Sequence, residues 1–265
     1  MINILHIFPG PIYNIESFLS TKFEHLSEFS SGTVVTTSSC NNSFICGNYK
    51  IVSVEFKGGR SVLNSYKLLS TAVKEAGYLR ASGGLDLVAC YDPLKAGVIG
   101  LIIKKINKCK LLVEINGVFS SVALYQSSGI VTKFKKYIYP KIQLSILRRA
   151  NGVKCLFKGQ LKGFQVPDKV VLRHFFDFTD IAPIPYQALD TRTITSIGFP
   201  SYIKGFDLLI IAFNRLHKYF PEWKLVIIGW FTKNEMDEFS VLIGTNSQIE
   251  IREPVQFSEI PEVID

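Results

Sequence analysis

The stretch best equipped for chemistry runs from Ser196 to Phe213. It reads Ser-Ile-Gly198-Phe199-Pro-Ser-Tyr-Ile-Lys204-Gly205-Phe-Asp207 and then continues as a helical apolar pattern. A β-branched strand ends at Gly198, a loop follows, and a helix opens at Lys204-Gly205. In an open α/β sheet, ligands bind beyond the C-terminal ends of the strands. A helix N-terminus there offers N–H groups and the positive end of a dipole to an anion. Lys204 adds a compact point charge. This spacing suits a diphosphate. It also suits an ordinary loop with a surface lysine and a packing glycine.

A second region stands out by charge. No acidic residue occurs between Glu114 and Asp168, while Lys133, Lys135, Lys136, Lys141, Arg148, Arg149, Lys154, Lys158 and Lys162 all do. These nine cations exceed the whole net charge of +8, so the rest of the chain is close to neutral. Tyr137, Ile138, Tyr139, Ile142, Ile146 and Leu147 are interleaved with them. Such a segment can lie on an anionic bilayer surface, form a solvated helix face, or meet nucleic acid. Membrane contact through Lys133, Lys135, Lys136, Lys141, Arg148 and Arg149 is the expectation carried forward, and nucleic acid is not. Pro140 predicts two helices or one kinked helix.

Other reactive residue types are less informative. His6 lies within the first strand and reads as a core or strand-end residue; His25 and His217 fall on helices and read as solvent-facing. His174 ends a strand, where a substrate contact is conceivable. No histidine cluster has metal-ligand spacing, so no metal or cofactor is expected. GxSxG, Walker and GxGxxG motifs and a Cys/His nucleophile pair are not visible, and no catalytic residue is named. The five cysteines form no CxxC pair. Cys90 and Cys155 sit in apolar runs and read as core residues, which suits a reducing compartment.

These residues need elements to position them. Apolar and β-branched runs at 2–8, 33–37, 51–56, 85–90, Lys110–Ile115, 152–157 and 169–173 alternate with helical patterns at 14–29, 61–80 and 93–107. In 61–80, Val62, Tyr66, Leu69, Val73 and Ala76 share helical spacing and form the expected buried stripe. Strands alternating with helices predict a parallel sheet covered on both faces. Residues 181–190 contain Pro183 and Pro185 without periodicity and read as a linker. The pattern restarts with strands Thr193–Ile197, Lys224–Ile228 and Ile249–Arg252 and helices at 205–220 and 234–243. The expected organisation is therefore a domain over 1–180, a linker over 181–190, and a partial second domain over 191–265 that something else must cover at its last strand.

Composition agrees with a folded chain of one large or two small domains. The 265 residues are 47% hydrophobic and 20% charged, outside the disordered and fibrous ranges, with a mean hydropathy of +0.22. The longest apolar run, 96–103, falls far short of the roughly 20 residues a membrane span needs. The first residues, Met1-Ile-Asn-Ile4, lack the basic start of a signal peptide.

The Lys204-Gly205-Phe-Asp-Leu-Leu segment, followed by Pro221-Glu-Trp-Lys-Leu-Val-Ile-Ile-Gly229, resembles the second domain of GT-B glycosyltransferases, specifically the retaining group-1 family, family four. The stretch Ile249-Glu-Ile-Arg-Glu-Pro-Val-Gln-Phe-Ser-Glu-Ile-Pro-Glu-Val263 is similar to that family's next strand and helix. Ile2-Asn-Ile-Leu-His-Ile-Phe-Pro9, Leu85-Asp-Leu-Val-Ala-Cys-Tyr-Asp-Pro93, Leu112-Val-Glu-Ile-Asn-Gly117, Ala150-Asn-Gly-Val-Lys-Cys-Leu156 and Val170-Val-Leu-Arg-His-Phe-Phe-Asp177 resemble its first-domain strands.

The resemblance implies a GT-B-like α/β fold with two Rossmann-like domains, the second incomplete. It implies transfer of a sugar from a nucleotide diphosphate sugar to an acceptor hydroxyl. By position, Lys204 would neutralise the leaving phosphate, Gly205 and Gly198 would let backbone approach it, and Gly10, Asn116 and Gly117 would face the sugar and acceptor. The implied setting is surface-polysaccharide or lipopolysaccharide synthesis on a lipid-linked glycan acceptor, in the cytoplasm at the inner membrane face.

Several residues depart from the family pattern. Phe199 stands where an Arg usually partners the Lys, and Asn116 stands where a His is usual. Pro9 and Pro11 flank a single glycine, and Trp230 follows Gly229. The family's glutamate pair, separated by seven residues, would lie past Asp265. Glu16 and Glu24 share that spacing but read as surface charges on the first helix. The alternative expectation is a truncated, inactive relative that acts as a membrane- or partner-binding module or is the remnant of a broken gene; a second chain that completes the C-terminal domain is a further expected partner.

Overall fold

The computed structural model describes residues 1–11, 15–56, 61–116, 130–157, 159–161, 165–166, 169–171, 192–198 and 201–255. The chain divides into two compact units, Met1–Phe175 and Phe176–Asp265. The predicted linker at 181–190 lies outside the described residues, as do Gly117, His174 and Phe199.

The first unit is built on an eight-stranded sheet. Its elements in chain order are β1 (Ile2–Pro11), α1 (Ile15–Leu26), β2 (Ser30–Ser38), β3 (Asn42–Cys46), β4 (Tyr49–Glu55), α2 (Ser61–Ser82), β5 (Leu87–Cys90), α3 (Lys95–Asn107), β6 (Lys110–Ile115), α4 (Ile130–Arg149), β7 (Gly152–Cys155) and β8 (Lys169–Val171). The strand order is β3-β4-β2-β1-β5-β6-β7-β8. All neighbours pair in parallel except β3, which pairs antiparallel with β4.

Alternation along β1 decides which helix covers which face. Leu5 and Ile7 join Val88, Cys90, Val113, Val153 and Cys155 in a core with α2, α3 and α4. Phe8 joins Leu19 and Phe23 of α1, with Val34, Tyr49 and Ile51, in a core on the opposite face. This is the period-two pattern of a sheet buried on both sides. Cys90 and Cys155 are buried there, as their apolar runs predict.

Two features differ from the sequence reading. The edge strand β3 was not expected; it forms because Gly47-Asn48 makes a two-residue hairpin turn, with Cys46 opposite Tyr49 and Gly47 at φ 54°. Glycine and asparagine are the residues that tolerate this turn. The buried stripe of α2 is also rotated. Val62 and Tyr66 are exposed, at 86% and 65%, whereas Leu68, Ala72 and Ala76 are buried. The rotation brings the buried Glu75 to Lys50 on β4, with both carboxylate oxygens 3.0 Å from Nζ.

The second unit contains β9 (Thr193–Ile197), α5 (Ser201–Lys204), α6 (Phe206–His217), β10 (Lys224–Ile228), α7 (Lys233–Ile243) and β11 (Ile249–Arg252). The three strands are parallel in the order β11-β10-β9. Phe206, Ile210 and Phe213 recur at helical spacing and pack with Leu225, Ile227, Phe239 and Ile249. Thr232 caps α7 in a capping box with Glu235, and the same Glu235 accepts a short hydrogen bond from Ser201 Oγ, tying α5 to α7. Burial pushes the Glu235 carboxyl up, but hydrogen bonds from Ser201 and Thr232 outweigh it and hold the group below its ordinary value.

Tyr49 and Ser30 form a buried hydrogen bond of 2.6 Å, in which Ser30 Oγ also donates to the Leu26 carbonyl at 2.9 Å. Tyr49→Phe removes the hydroxyl and leaves the ring packing intact. Its expected cost is about 1 kcal/mol, read as a lower denaturation midpoint with an unchanged slope.

Candidate functional site

The chain runs from β1 to β2 and β4 on one side, then crosses β1 to enter β5 on the other. That reversal places a crevice outside the C-terminal ends of β1 and β5, where open α/β sheets bind ligands. Gly10 lies at the end of β1, where the register with β2 shifts between Ile7 and Pro11. Among the described residues, a side chain at Gly10 would meet no atom within 4 Å. Asn116 follows β6, and its Nδ2 donates to the Tyr91 carbonyl at 3.2 Å, fastening the end of β6 to that of β5.

Beneath this edge lies a polar cluster that the sequence reading did not identify. Tyr91 stacks on Phe8 with ring centroids 3.6 Å apart. Lys22 Nζ donates to Tyr91 Oη at 2.7 Å and lies 4.2 Å from that ring's centroid. His6 Nδ1 is 3.1 Å from the same oxygen. An ammonium can only donate, so the Tyr91 hydroxyl is free to donate onward to His6 Nδ1.

Burial first, and the Lys22 charge second, lower the His6 pKa to about 3. Burial lowers Lys22 to about 8; Glu114 pulls that value back up and Lys154 pushes it down. Burial also holds Tyr91 well above the ordinary phenol range. Glu114 and Lys154 pair at 2.8 Å with little exposure. One sequence signal for Lys22 exists: it falls between Leu19 and Leu26, on the spacing of the apolar stripe that buries Leu19 and Phe23.

His6 is thus a core residue, as read from sequence. His217 differs from the solvent-facing expectation: it is half-buried and stacks on Phe213 at 5.7 Å. Glu24 is exposed on α1, as a surface charge should be.

In the second unit, the predicted phosphate residues sit at the C-terminal edge of the three strands. Gly198 N donates to Ile228 O at 3.0 Å and Gly229 N to Arg252 O at 3.2 Å, closing the strand ends together. A Cβ on Gly229 would run into the Gly198 carbonyl oxygen. A Cβ on Gly198 would lie 2.8 Å from Cε of Lys204, whose side chain therefore folds over that glycine. Gly205 holds φ 69° and ψ 36° immediately before α6, a left-handed geometry that favours glycine. No side chain caps α6, and Lys204 is exposed beside its first turn. The arrangement offers an anion one ammonium and a helix N-terminus. Asp207, exposed in the first turn, opposes it in part.

The predicted membrane-contact cations Lys133, Lys135, Lys136, Lys141, Arg148 and Arg149 all lie on α4 and all are exposed. Pro140 lies inside one continuous helix, so the segment is not two helices. Phe134 and Tyr137 are 63% and 66% exposed among these cations. No helix among the described residues is long and apolar enough to cross a membrane. Among the described residues, no group of three or more His, Cys, Asp or Glu could hold a metal ion.

No protein-family model and no curated protein sequence matches the chain. Solved structures do. HepE of Anabaena, in complex with UDP-glucose, has a TM-score of 0.65 at 14% identity, over 100% of this chain and 71% of its own. The α,α-trehalose 6-phosphate synthase of Burkholderia multivorans has a TM-score of 0.65 at 9% identity, over 99% and 75%. The UDP-GlcNAc 2-epimerase of Neisseria meningitidis, bound to UDP-GlcNAc, has a TM-score of 0.62 at 9% identity, over 99% and 75%. The fold is GT-B-like. Within GT-B architecture, the two strand-end sites belong to the first and second Rossmann-like units.

The buried cluster predicts two pH effects of the same sign in separate windows, stability rising with pH in each. The unfolded chain takes up a proton on His6 below about pH 6.5, whereas the native state resists until about pH 3. Native stability from this group is complete above pH 6.5 and is lost on acidification, by on the order of 5 kcal/mol at the limit. Unfolding free energies of His6→Phe should fall less steeply than wild type between those values. For Lys22, the native state sheds its proton near pH 8 and the unfolded chain near 10.5. Stability should therefore rise with pH across that window, by about 3 kcal/mol at most, and Lys22→Met should abolish the rise.

Proposed function

We propose that this protein is a glycosyltransferase that moves a sugar from a nucleotide diphosphate sugar to a lipid-linked glycan acceptor. The proposed setting is the inner face of a membrane, in surface-polysaccharide or lipopolysaccharide synthesis. The observation that carries the reading is the Gly198–Lys204–Gly205 turn at the end of β9, in a GT-B-like fold whose solved neighbours include complexes with UDP-glucose and UDP-GlcNAc.

Charge develops on the departing diphosphate as the glycosidic bond breaks. A preorganised cation stabilises that charge more in the transition state than in the ground state. Lys204 and the N-terminus of α6 would do this, with Gly205 presenting bare backbone to the phosphate. Phe199 supplies no second cation at its position, so Lys204 bears a larger share. On the first unit, Gly10 and Asn116 would face the sugar and acceptor. The Nδ2 of Asn116 is engaged by Tyr91, which leaves Oδ1 to accept from a sugar hydroxyl. In this reading residues 1–180 form the acceptor side and 191–265 the donor side. The exposed cations of α4 support contact with the anionic surface that carries a lipid-linked acceptor.

The test is nucleoside diphosphate release from a panel of donor sugars in the presence of membrane extract. Lys204→Ala should lower kcat/KM by about 10²–10³-fold, with partial rescue by Lys204→Arg. Conversion of a UDP-sugar to its C2 epimer without free UDP would instead assign epimerase chemistry. That outcome has weight because several structural neighbours are UDP-GlcNAc 2-epimerases. No turnover of any donor would favour a non-catalytic membrane- or partner-binding relative.

A further inference from the structure

Neither α3 nor α4 contains a single acidic residue. Together they carry Lys95, Lys104, Lys105, Lys133, Lys135, Lys136, Lys141, Arg148 and Arg149. Glu114 is the one carboxylate between Asp92 and Asp168 in sequence, and it is buried against Lys154. The cations of these two helices therefore find no carboxylate on either helix to pair with.

The same helices also form a groove. They meet where Gly97 faces Ile146; a Cβ there would lie 2.9 Å from Ile146 Cγ2. Beside that contact is an open groove of about 540 Å³, lined chiefly by Val98, Leu101, Ile102, Ile138 and Ile142. Val98 and Ile102, one turn apart on α3, are 40% and 37% exposed. Next to it lies a second depression of about 410 Å³ lined by Lys141, Leu144, Ser145, Arg148 and Arg149. Lys141 and Ser145 border both. The junction is organised. Lys141 Nζ sits 3.6 Å from the Tyr137 ring centroid, Arg149 bonds the Ser145 carbonyl at 3.1 Å, and Lys104 bonds the Arg149 carbonyl at 2.7 Å.

An apolar trough that runs into a cationic pocket is complementary to one molecule with a hydrocarbon chain and an anionic head. We propose that this groove and pocket hold a single anionic phospholipid of the bilayer surface, its acyl chain along Val98, Ile102 and Ile142 and its phosphate on Lys141, Arg148 and Arg149. The inference rests on the membrane part of the proposed function and narrows it from diffuse attraction to one lipid site. Nucleic acid would satisfy the cations and leave the trough in water. A partner helix with an apolar face would fill the trough but would need an array of carboxylates to answer this charge.

Two variants separate the parts. Lys141→Gln with Arg148→Gln removes the pocket charge. Val98→Gln with Ile102→Gln removes the apolar floor and keeps every charge. Both should show the wild-type thermal transition; Val98→Gln alone serves if the double variant does not. The measurement is co-sedimentation of the full chain with phosphatidylcholine vesicles, with and without phosphatidylglycerol, at ~0.1 M and ~1 M NaCl, where screening lengths are about 10 and 3 Å. Wild type should require phosphatidylglycerol and retain part of its binding at high salt. The charge variant should bind about 30-fold more weakly at low salt. The floor variant should bind more weakly than wild type at both salt concentrations, keep its requirement for phosphatidylglycerol, and lose the salt-resistant part.

A floor variant that matches wild type at both salt concentrations overturns the lipid site and leaves surface attraction standing. Wild type that ignores phosphatidylglycerol overturns the site and the membrane reading together, while donor turnover with a soluble acceptor remains a separate result. A wild-type dimer in sedimentation velocity that the floor variant disperses makes the groove an interface between copies and overturns the proposal.

Discussion

Parallel pairing is the constraint on which the rest of this molecule depends. Once β1, β2, β4 and β5 through β8 run the same way, every loop that follows a strand emerges at one edge. Residues far apart in sequence then gather without any attraction between their side chains. The β1–β5 neighbourhood is where the chain reverses its direction of travel across the sheet. Tyr91 N closes it by donating to Ile7 O at 3.0 Å, and Phe8 and Tyr91 stack across it. Asn116 joins the same closure through its bond to the Tyr91 carbonyl.

The first unit handles charge in two contrasting ways. Near the β1–β5 edge it buries a lysine, a histidine and a tyrosine, which share one phenolic oxygen as their meeting point. Burial costs are met there by changing protonation preference: His6 stays neutral and Lys22 holds its proton less tightly. On α3 and α4 the opposite holds. Cations are kept in water with no carboxylate on either helix, at a cost of mutual repulsion that an external anion would relieve.

In the second unit, backbone contact does what side chains do in the first. Gly229 admits the Gly198 carbonyl, Gly198 admits the Lys204 stem, and Gly205 turns the chain into α6. Gly229 and Gly198 each bring a main-chain or lysine group closer to the strand ends than a larger residue would allow, while Gly205 supplies the left-handed backbone of the turn. The result is an edge that carries one ammonium and one helix N-terminus, with Asp207 in the same first turn.

Periodicity determined much of this protein in sequence. Runs such as 110–115 and 224–228 and helices such as α3 and α6 were legible because side chains report their own alternation. The Gly198–Lys204–Gly205 spacing was legible for the same reason: strand, turn and helix start are all local signals. Tertiary structure alone decided the rest. Strand β3 is polar and mostly exposed, with no buried alternation to declare it, and exists only through pairing with β4. The rotation of α2 follows from which residues the sheet buries, Leu68, Ala72 and Ala76, and it brings Glu75 to Lys50, a contact 25 residues apart in sequence. The Lys22–Tyr91–His6 cluster joins α1, β1 and the end of β5 across 85 residues. No local pattern encodes such a meeting, because the strand order that produces it is a property of the assembled sheet.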